Sequence, residues 1–231
     1  MKKRILYSEV AFVMGLVLLA WGTAMTAWGD LGISMVVAPA FILHLKMSEI
    51  YPWFSFGVAE YILQGFVLIL MMCILRKVKL SYFLSFLTAI CYGLLLDFGS
   101  TMLAFLPQAG FWLRLTVYIV GDLWICAGIA LLFHTYLPPE AYEMFVIELA
   151  PRLNMKLHIL KTVYDCISLI VSIVMALALL GEFRGIGIGT VVCAFLNGSL
   201  IQFFSVLFDR IWVFQDKLPY RHQLTESEDS L

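Results

Sequence analysis

Six apolar stretches recur along this chain, each close to the roughly 20 residues that a helix needs to cross a hydrocarbon core about 30 Å thick. They run from Val10 to Trp28, Phe54 to Leu75, Tyr82 to Leu106, Phe111 to Tyr136, Ile159 to Leu180 and Ile186 to Phe208. A soluble chain carries about 25% charged residues. This one carries 13%, with 62% hydrophobic residues and a mean hydropathy of +0.95, too little charge to solvate a globular surface. The bilayer has to be the solvent, and the sequence predicts an all-α, polytopic membrane protein.

Lys and Arg test the number of spans, because short translocated loops are poor in positive charge. Three lie in each of four segments: the N-terminus (Lys2, Lys3, Arg4), the second loop (Arg76, Lys77, Lys79), the fourth (Arg152, Lys156, Lys161) and the tail (Arg210, Lys217, Arg221). The alternate segments hold one each: Lys46, Arg114 and Arg184. Twelve against three, in strict alternation, fits six spans with both termini in the cytoplasm of a bacterial inner membrane. Ala20-Trp21-Gly22 loosely resembles a signal-peptide cleavage site, but apolar sequence continues to Trp28, and an uncleaved first helix explains more.

Two connecting segments are unusual. Leu31 to Leu43 is apolar but too short to cross, as re-entrant or interfacial segments are. Leu137 to Leu149 opens with Pro138-Pro139, suited to starting a helix, with Glu140 and Glu143 where the helix dipole favours acids.

The chain also repeats. A shift of 106 positions matches Gly22 with Gly128, Ala24 with Ala130, Leu31 with Leu137 and Leu43 with Leu149. A shift of 105 then matches Ala89 with Ala194 and Gly93 with Gly198, and sets Glu60 against Asp165, Ser85 against Thr190 and Asp97 against Gln202. Three spans per copy is an odd number, so the second copy inserts upside down. Residues 1–107 and 108–214 then form two inverted three-helix repeats, each with a short segment after its first helix, followed by a polar, disordered tail at 215–231. Small residues every four positions, Ser85-Ala89-Gly93 and Thr190-Ala194-Gly198, are the pattern of close helix packing and predict that the two third helices cross near the centre.

Gly29-Asp30-Leu31-Gly32-Ile33-Ser34 after the first span, Asp97 closing Gly93-Leu94-Leu95-Leu96-Asp97, and Gly187-Ile188-Gly189-Thr190 opening the last span resemble the YczE/YitT-type family of bacterial integral membrane proteins. The resemblance is distant, covers most of the chain, and implies fold and location more than activity.

Ionisable groups inside a span mark functional sites by default. Glu60, Asp97, Asp122 and Asp165 qualify, and Gln64 and Gln202 join them as polar residues along a path. No Lys or Arg lies at comparable depth; Lys161, one turn before Asp165, is the nearest candidate partner. Asp30, Ser34 and Glu140, at the mouths of the short segments, either face a solute or cap a helix. The alternative for every acid is a hydrogen bond that locks the bundle.

No metal-ligand spacing links His44, His134, His158 and His222, and no catalytic motif is present, so neither an enzyme nor a metal or other cofactor is expected. The five cysteines lie in apolar stretches and read as core residues. A net charge of −1 excludes a nucleic-acid partner. The expected partners are the lipid bilayer and a small solute, and six short helices around a polar centre are compatible with a homodimer. The sequence thus points to a transporter of a small solute, with proton coupling open; the alternative is a non-transporting membrane accessory protein.

Overall fold

The computed structural model describes residues 4–107, 110–182 and 185–217. Its elements are β1 (Arg4–Tyr7), α1 (Ser8–Gly29), α2 (Ala38–Ser48), α3 (Phe56–Leu75), α4 (Leu80–Ala104), α5 (Phe111–Leu132), α6 (Ala141–Arg152), α7 (Leu157–Leu179), α8 (Ile188–Ile211) and β2 (Trp212–Gln215). Six helices, α1, α3, α4, α5, α7 and α8, are long and apolar enough to cross a membrane. They are the six expected, and every boundary falls within four residues of its expected place. Large apolar side chains such as Ile62, Phe66, Phe83, Leu87, Ile170, Val174 and Phe195 cover the outside of the bundle. In water that surface would aggregate; in lipid it is the solvated face.

Local chemistry sets the helix ends. Ser55 caps α3 by accepting from the Val58 amide, and α1 stops at Asp30, which takes the left-handed conformation with φ 51°. Arg114 of α5 fixes that end: its Nε donates to the Gly29 carbonyl at 2.9 Å and its Nη2 to Asp30 Oδ2 at 2.8 Å.

At the centre α1 and α5 run antiparallel, with Gly15 beside Gly128 and Gly22 beside Gly121. A Cβ on Gly22 would stand 2.6 Å from the Gly121 carbonyl oxygen, and one on Gly128 2.6 Å from that of Gly15. Only glycine permits this approach, and in lipid it converts directly into backbone packing. Gly15 and Gly121, like Gly22 and Gly128, are 106 positions apart, so the two contacts exchange when the halves of the chain are exchanged. The remaining pairs follow suit: α4 packs on α1 and α8 on α5, α3 on α4 and α7 on α8, α2 on α7 and α6 on α3.

The expected crossing of the third helices is corrected. Neither α4 nor α8 has an extensive interface with the other. Gly93 of α4 faces Gly57 and Tyr61 of α3, whereas Gly198 of α8 faces Thr162 and His158 of α7. Gly93 and Gly198 therefore pack their helices against a neighbour in the same half, because the glycines of α1 and α5 already occupy the centre, while Ser85 reaches Pro139 and Thr190 lies beside Gly32 in the other half.

The short helices α2 and α6 do not lie flat on the bundle. Ala38, Pro39, Ala40 and Ile42 of α2 are buried while its far end reaches exposed Glu49; Ala141 to Met144 of α6 are buried while Arg152 is exposed. Both helices thus point their N-terminal ends inward.

One feature was illegible in the sequence. β1 pairs in parallel with β2, Arg4 opposite Trp212 and Tyr7 opposite Gln215, which ties the two ends of the bundle to one face. The expected polar tail lies outside the described residues beyond Lys217.

Candidate functional site

Where the inward ends of α2 and α6 meet the middles of the spanning helices, they enclose a cavity of about 20 Å³. Nearly every residue around it has a counterpart in the other half that also lines it. Leu19 and Ile125, Thr23 and Ile129, Ser34 and Glu140, Val36 and Tyr142, and Val37 and Glu143 are each 106 positions apart, and Tyr92 and Asn197 are 105 apart. The two halves contribute differently. The first supplies apolar groups and hydroxyls, and the second supplies all the charge: Glu140, Glu143, Lys161 and Asp165.

The charged groups form two adjoining sets. Lys161 Nζ lies 3.1 Å from Glu143 Oε1 and 3.3 Å from Asp165 Oδ1, with all three side chains nearly inaccessible. Glu60 Oε2 accepts from the Tyr142 hydroxyl at 3.0 Å and from Gln64 Nε2 at 3.3 Å. The same Gln64 nitrogen donates to Glu140 Oε2 at 2.8 Å, and Gln64 Oε1 accepts from the Ala141 amide at 3.1 Å. Glu140 precedes α6 and lies outside the six spanning helices. Its carboxyl is pushed well above the usual carboxylate range, first by burial and then by the like charges of Glu143 and Glu60.

Acceptors exceed donors in this interior. Glu60 Oε1, Glu140 Oε1, Glu143 Oε2 and Asn197 Oδ1 are buried without a hydrogen-bond partner, and Asp165, although ion-paired, has no hydrogen bond on either oxygen. Buried polar atoms are normally satisfied, so this concentration of free oxygens around one void needs an explanation.

Clefts approach the cavity from both ends of the bundle. On the face that carries the termini, His134, His158, Gln202 and Ser205 line a cleft of about 170 Å³ with Lys161 in its wall. Lys161 and Ile201 border the cavity too, so these two side chains lie between the two spaces. On the opposite face Asp30, Gly32, Tyr118, Gly187 and Gly189 line a cleft of about 610 Å³. From it a chain of contacts leads inward: the Tyr118 hydroxyl lies 3.1 Å from Cys193 Sγ, which donates to Asp122 Oδ1 at 3.2 Å. Asn197 Nδ2 donates to the same oxygen at 3.0 Å and Asn197 lines the cavity.

Glu60, Gln64 and Glu140 thus share one hydrogen-bonded set, Asp165 pairs with Lys161 beside it, Asp122 accepts from Asn197 of the cavity wall, and Ser34 sits in that wall. Asp97 stands apart. Its carboxylate accepts from the Ser55 hydroxyl at 2.6 Å and the Gly57 amide at 2.8 Å, making it part of the α3 cap. Asp30 is the exposed C-cap of α1, and Gln202 is exposed in the cleft. Thr190 closes the α8 cap by accepting from the Gly187 amide at 3.2 Å, so the glycine-rich segment does start that helix. Ser85 donates to the Pro139 carbonyl at 2.6 Å and holds the entry to α6, while Ala89 and Ala194 are buried packing residues beside Gly93 and Gly198.

The expectation that no cation lies at the depth of the acids is corrected: Lys161 does, because it belongs to α7 and not to the preceding loop. Its spacing of four from Asp165 was the available signal. Glu143, Tyr142 and Asn197 carried no signal of their own, since only the descent of α6 and the packing of α8 bring them inward. Among the described residues no group of three His, Cys, Asp or Glu side chains is placed to hold a metal ion.

Six spanning helices, a lipid-facing apolar exterior and a charged interior define an integral membrane protein of multi-pass type. Residues 6–206 match the model of a family of unknown function, DUF6198, and the chain belongs to that family. No curated protein and no solved structure matches it.

Proposed function

We propose that the protein is a transporter of a small solute, coupled to protons, built as two inverted repeats with its central cavity as the binding site. The observation that carries this reading is the composition of the cavity wall. Paired positions from both halves surround one small void, as expected for a site on the pseudo-two-fold axis of an inverted repeat. The antiparallel α1 and α5 and the inward ends of α2 and α6 support the same symmetry.

Clefts at opposite faces, each separated from the cavity by few side chains, suit alternating access. Motion of Lys161 away from Glu143 and Asp165 opens one side; parting of α5 from α8 around Tyr118 and Cys193 opens the other. Glu140, whose carboxyl holds its proton well above the usual range, is the coupling group. Removing Lys161 from the loop count leaves eleven Lys and Arg on the side of the termini against three opposite, which still supports cytoplasmic termini in a bacterial inner membrane. The kinship to the YczE/YitT-type family belongs to the same proposal.

The test is a proteoliposome assay with a pH-sensitive dye inside and pooled small metabolites outside. It compares the parent with the charge-balanced triple variant Lys161→Met, Glu143→Gln, Asp165→Asn. A solute-dependent pH change in the parent, lost in a folded triple variant, is the expected result. Silence of folded parent protein across all pools, or full transport by the triple variant, refutes the proposal.

A further inference from the structure

The chemistry of the cavity wall restricts what it accepts, and this step rests on the transporter reading above. Most donors around the void already have a partner, leaving one N–H each on Lys161 Nζ and Asn197 Nδ2. Thr23 donates to the Leu19 carbonyl, Tyr92 to Thr23, Tyr142 to Glu60, and Asn197 Nδ2 to Asp122. Ser34 turns to the Met35 sulfur, and Lys161 is paired with Glu143 and Asp165. With Glu140 ionised, the buried atoms of the lining residues that lack a partner are acceptors: Glu140 Oε1, Glu143 Oε2, Asp165 Oδ2 and Asn197 Oδ1. Against these acceptors stand only the remaining N–H of Lys161 and that of Asn197, so the wall disfavours an anion. The inward helix ends, which elsewhere favour anions, are occupied at α6 by that helix's own Glu140 and Glu143.

The occupant is therefore a donor and a cation. Lys161 brings one positive charge to the four carboxyl groups of Glu60, Glu140, Glu143 and Asp165, so once Glu140 gives up its proton a second positive charge is favoured in a low-dielectric interior. Size narrows the class. A space of about 20 Å³ holds one water-sized species. A metal ion needs several oxygens converging at short range, and the described acids do not form such a group. An ammonium ion is the size of water, carries one charge, and directs four donors tetrahedrally at longer distances.

We infer that the small cavity between the inward ends of α2 and α6 is a binding site for the ammonium ion, held by Glu140, Glu143, Asp165 and Asn197. The Lys161 ammonium group already rests against two of these residues and shows that they accept such a head group. Lys161 then acts as a tethered competitor on the side of the termini, and an incoming ion reaches the cavity as that side chain swings into the adjacent cleft. Ammonium and a proton on Glu140 Oε1 are mutually exclusive, since both place hydrogen on one oxygen, so binding releases that proton. The other groups facing the void or its network are Glu60 of α3, Tyr92 of α4, Glu143 and Tyr142 of α6, and Lys161, Tyr164 and Asp165 of α7.

The test is thermal unfolding of the purified detergent-solubilised protein in equal concentrations of ammonium, potassium, sodium and tetramethylammonium chloride. Potassium matches ammonium in size and charge but has no hydrogen to donate, and tetramethylammonium is too large. At about 100 times its Kd ammonium is expected to raise the Tm by at least about 5 °C over the other three ions. Glu140→Gln, which keeps the side chain's shape but turns an amide N–H toward the cavity, is expected to abolish that difference. Equal Tm values in ammonium and potassium, or in ammonium and tetramethylammonium, overturn the inference, as does an unchanged ammonium effect in Glu140→Gln. Should that variant not fold, the ion series on the parent decides alone. An ammonium-specific rise with no transport refutes the transporter and leaves the site; solute transport with no such rise refutes the site and leaves the transporter.

Discussion

Replacing Lys161 by Met removes the single ammonium group that holds Glu143 and Asp165 together. At separations of 3.1 Å and 3.3 Å and an effective dielectric of about 20, each attraction is worth about 5 kcal/mol before desolvation. Burial of the ions offsets much of that, yet removing one partner leaves two carboxyl groups uncompensated, and such changes cost about 3–5 kcal/mol. For a chain of this length that corresponds to a fall in Tm on the order of 10 °C. The assay is thermal unfolding in detergent, monitored by tryptophan fluorescence and by the monodisperse fraction on size exclusion. The decisive comparison is the triple variant Lys161→Met, Glu143→Gln, Asp165→Asn. It replaces the charges by neutral groups of similar shape and is expected to recover most of the lost stability. A single variant within about 1 kcal/mol of the parent, or a triple variant no better than the single, refutes the view that these three residues form one charge-compensated unit.

Further consequences are open to measurement. Because the Glu140 carboxyl is raised above its unfolded value, the folded state holds a proton that the unfolded chain has lost. Stability therefore falls as pH rises above the ordinary carboxylate range, by up to about 1.4 kcal/mol per pH unit, until the folded group also ionises. Unfolding titrations should show this slope flattened in Glu140→Gln. Gly22→Ala and Gly128→Ala each drive a methyl group to 2.6 Å from a backbone carbonyl oxygen. Each is expected to cost about 1–3 kcal/mol in the same unfolding assay, whereas Gly110→Ala, where nothing lies within 4 Å, should not. Asp97→Asn weakens the α3 cap by about 1 kcal/mol and leaves transport by folded protein unchanged; loss of transport with stability intact would return Asp97 to the path.

The acids that sequence reasoning singled out divide according to what surrounds them. Glu60, Asp122 and Asp165 enter the interior hydrogen-bond and ion-pair sets, whereas Asp97, at similar depth in its helix, serves a cap. Depth along a helix is legible from sequence; the direction a side chain faces depends on which neighbour its helix meets. The same reason explains the glycine stripes. Ser85-Ala89-Gly93 and Thr190-Ala194-Gly198 were recognised as packing faces, but a stripe does not say what packs on it. Lys161 was misplaced by a single turn of helix, because a basic residue near a span boundary reads equally as a loop charge or as a buried partner.

Sequence by itself determined the class of solvent, the number and bounds of the spans and the existence of two short segments. Each of these follows from hydrophobic length, a local property measured against a bilayer of fixed thickness. Tertiary structure alone decided that α2 and α6 turn their N-termini inward, that α1 and α5 form the central crossing, and that β1 joins β2 across the whole chain. It also decided that Glu140, Glu143, Lys161, Asp165 and Asn197 share one cavity. Those outcomes depend on contacts between residues far apart in sequence, and such contacts leave no local periodicity to read.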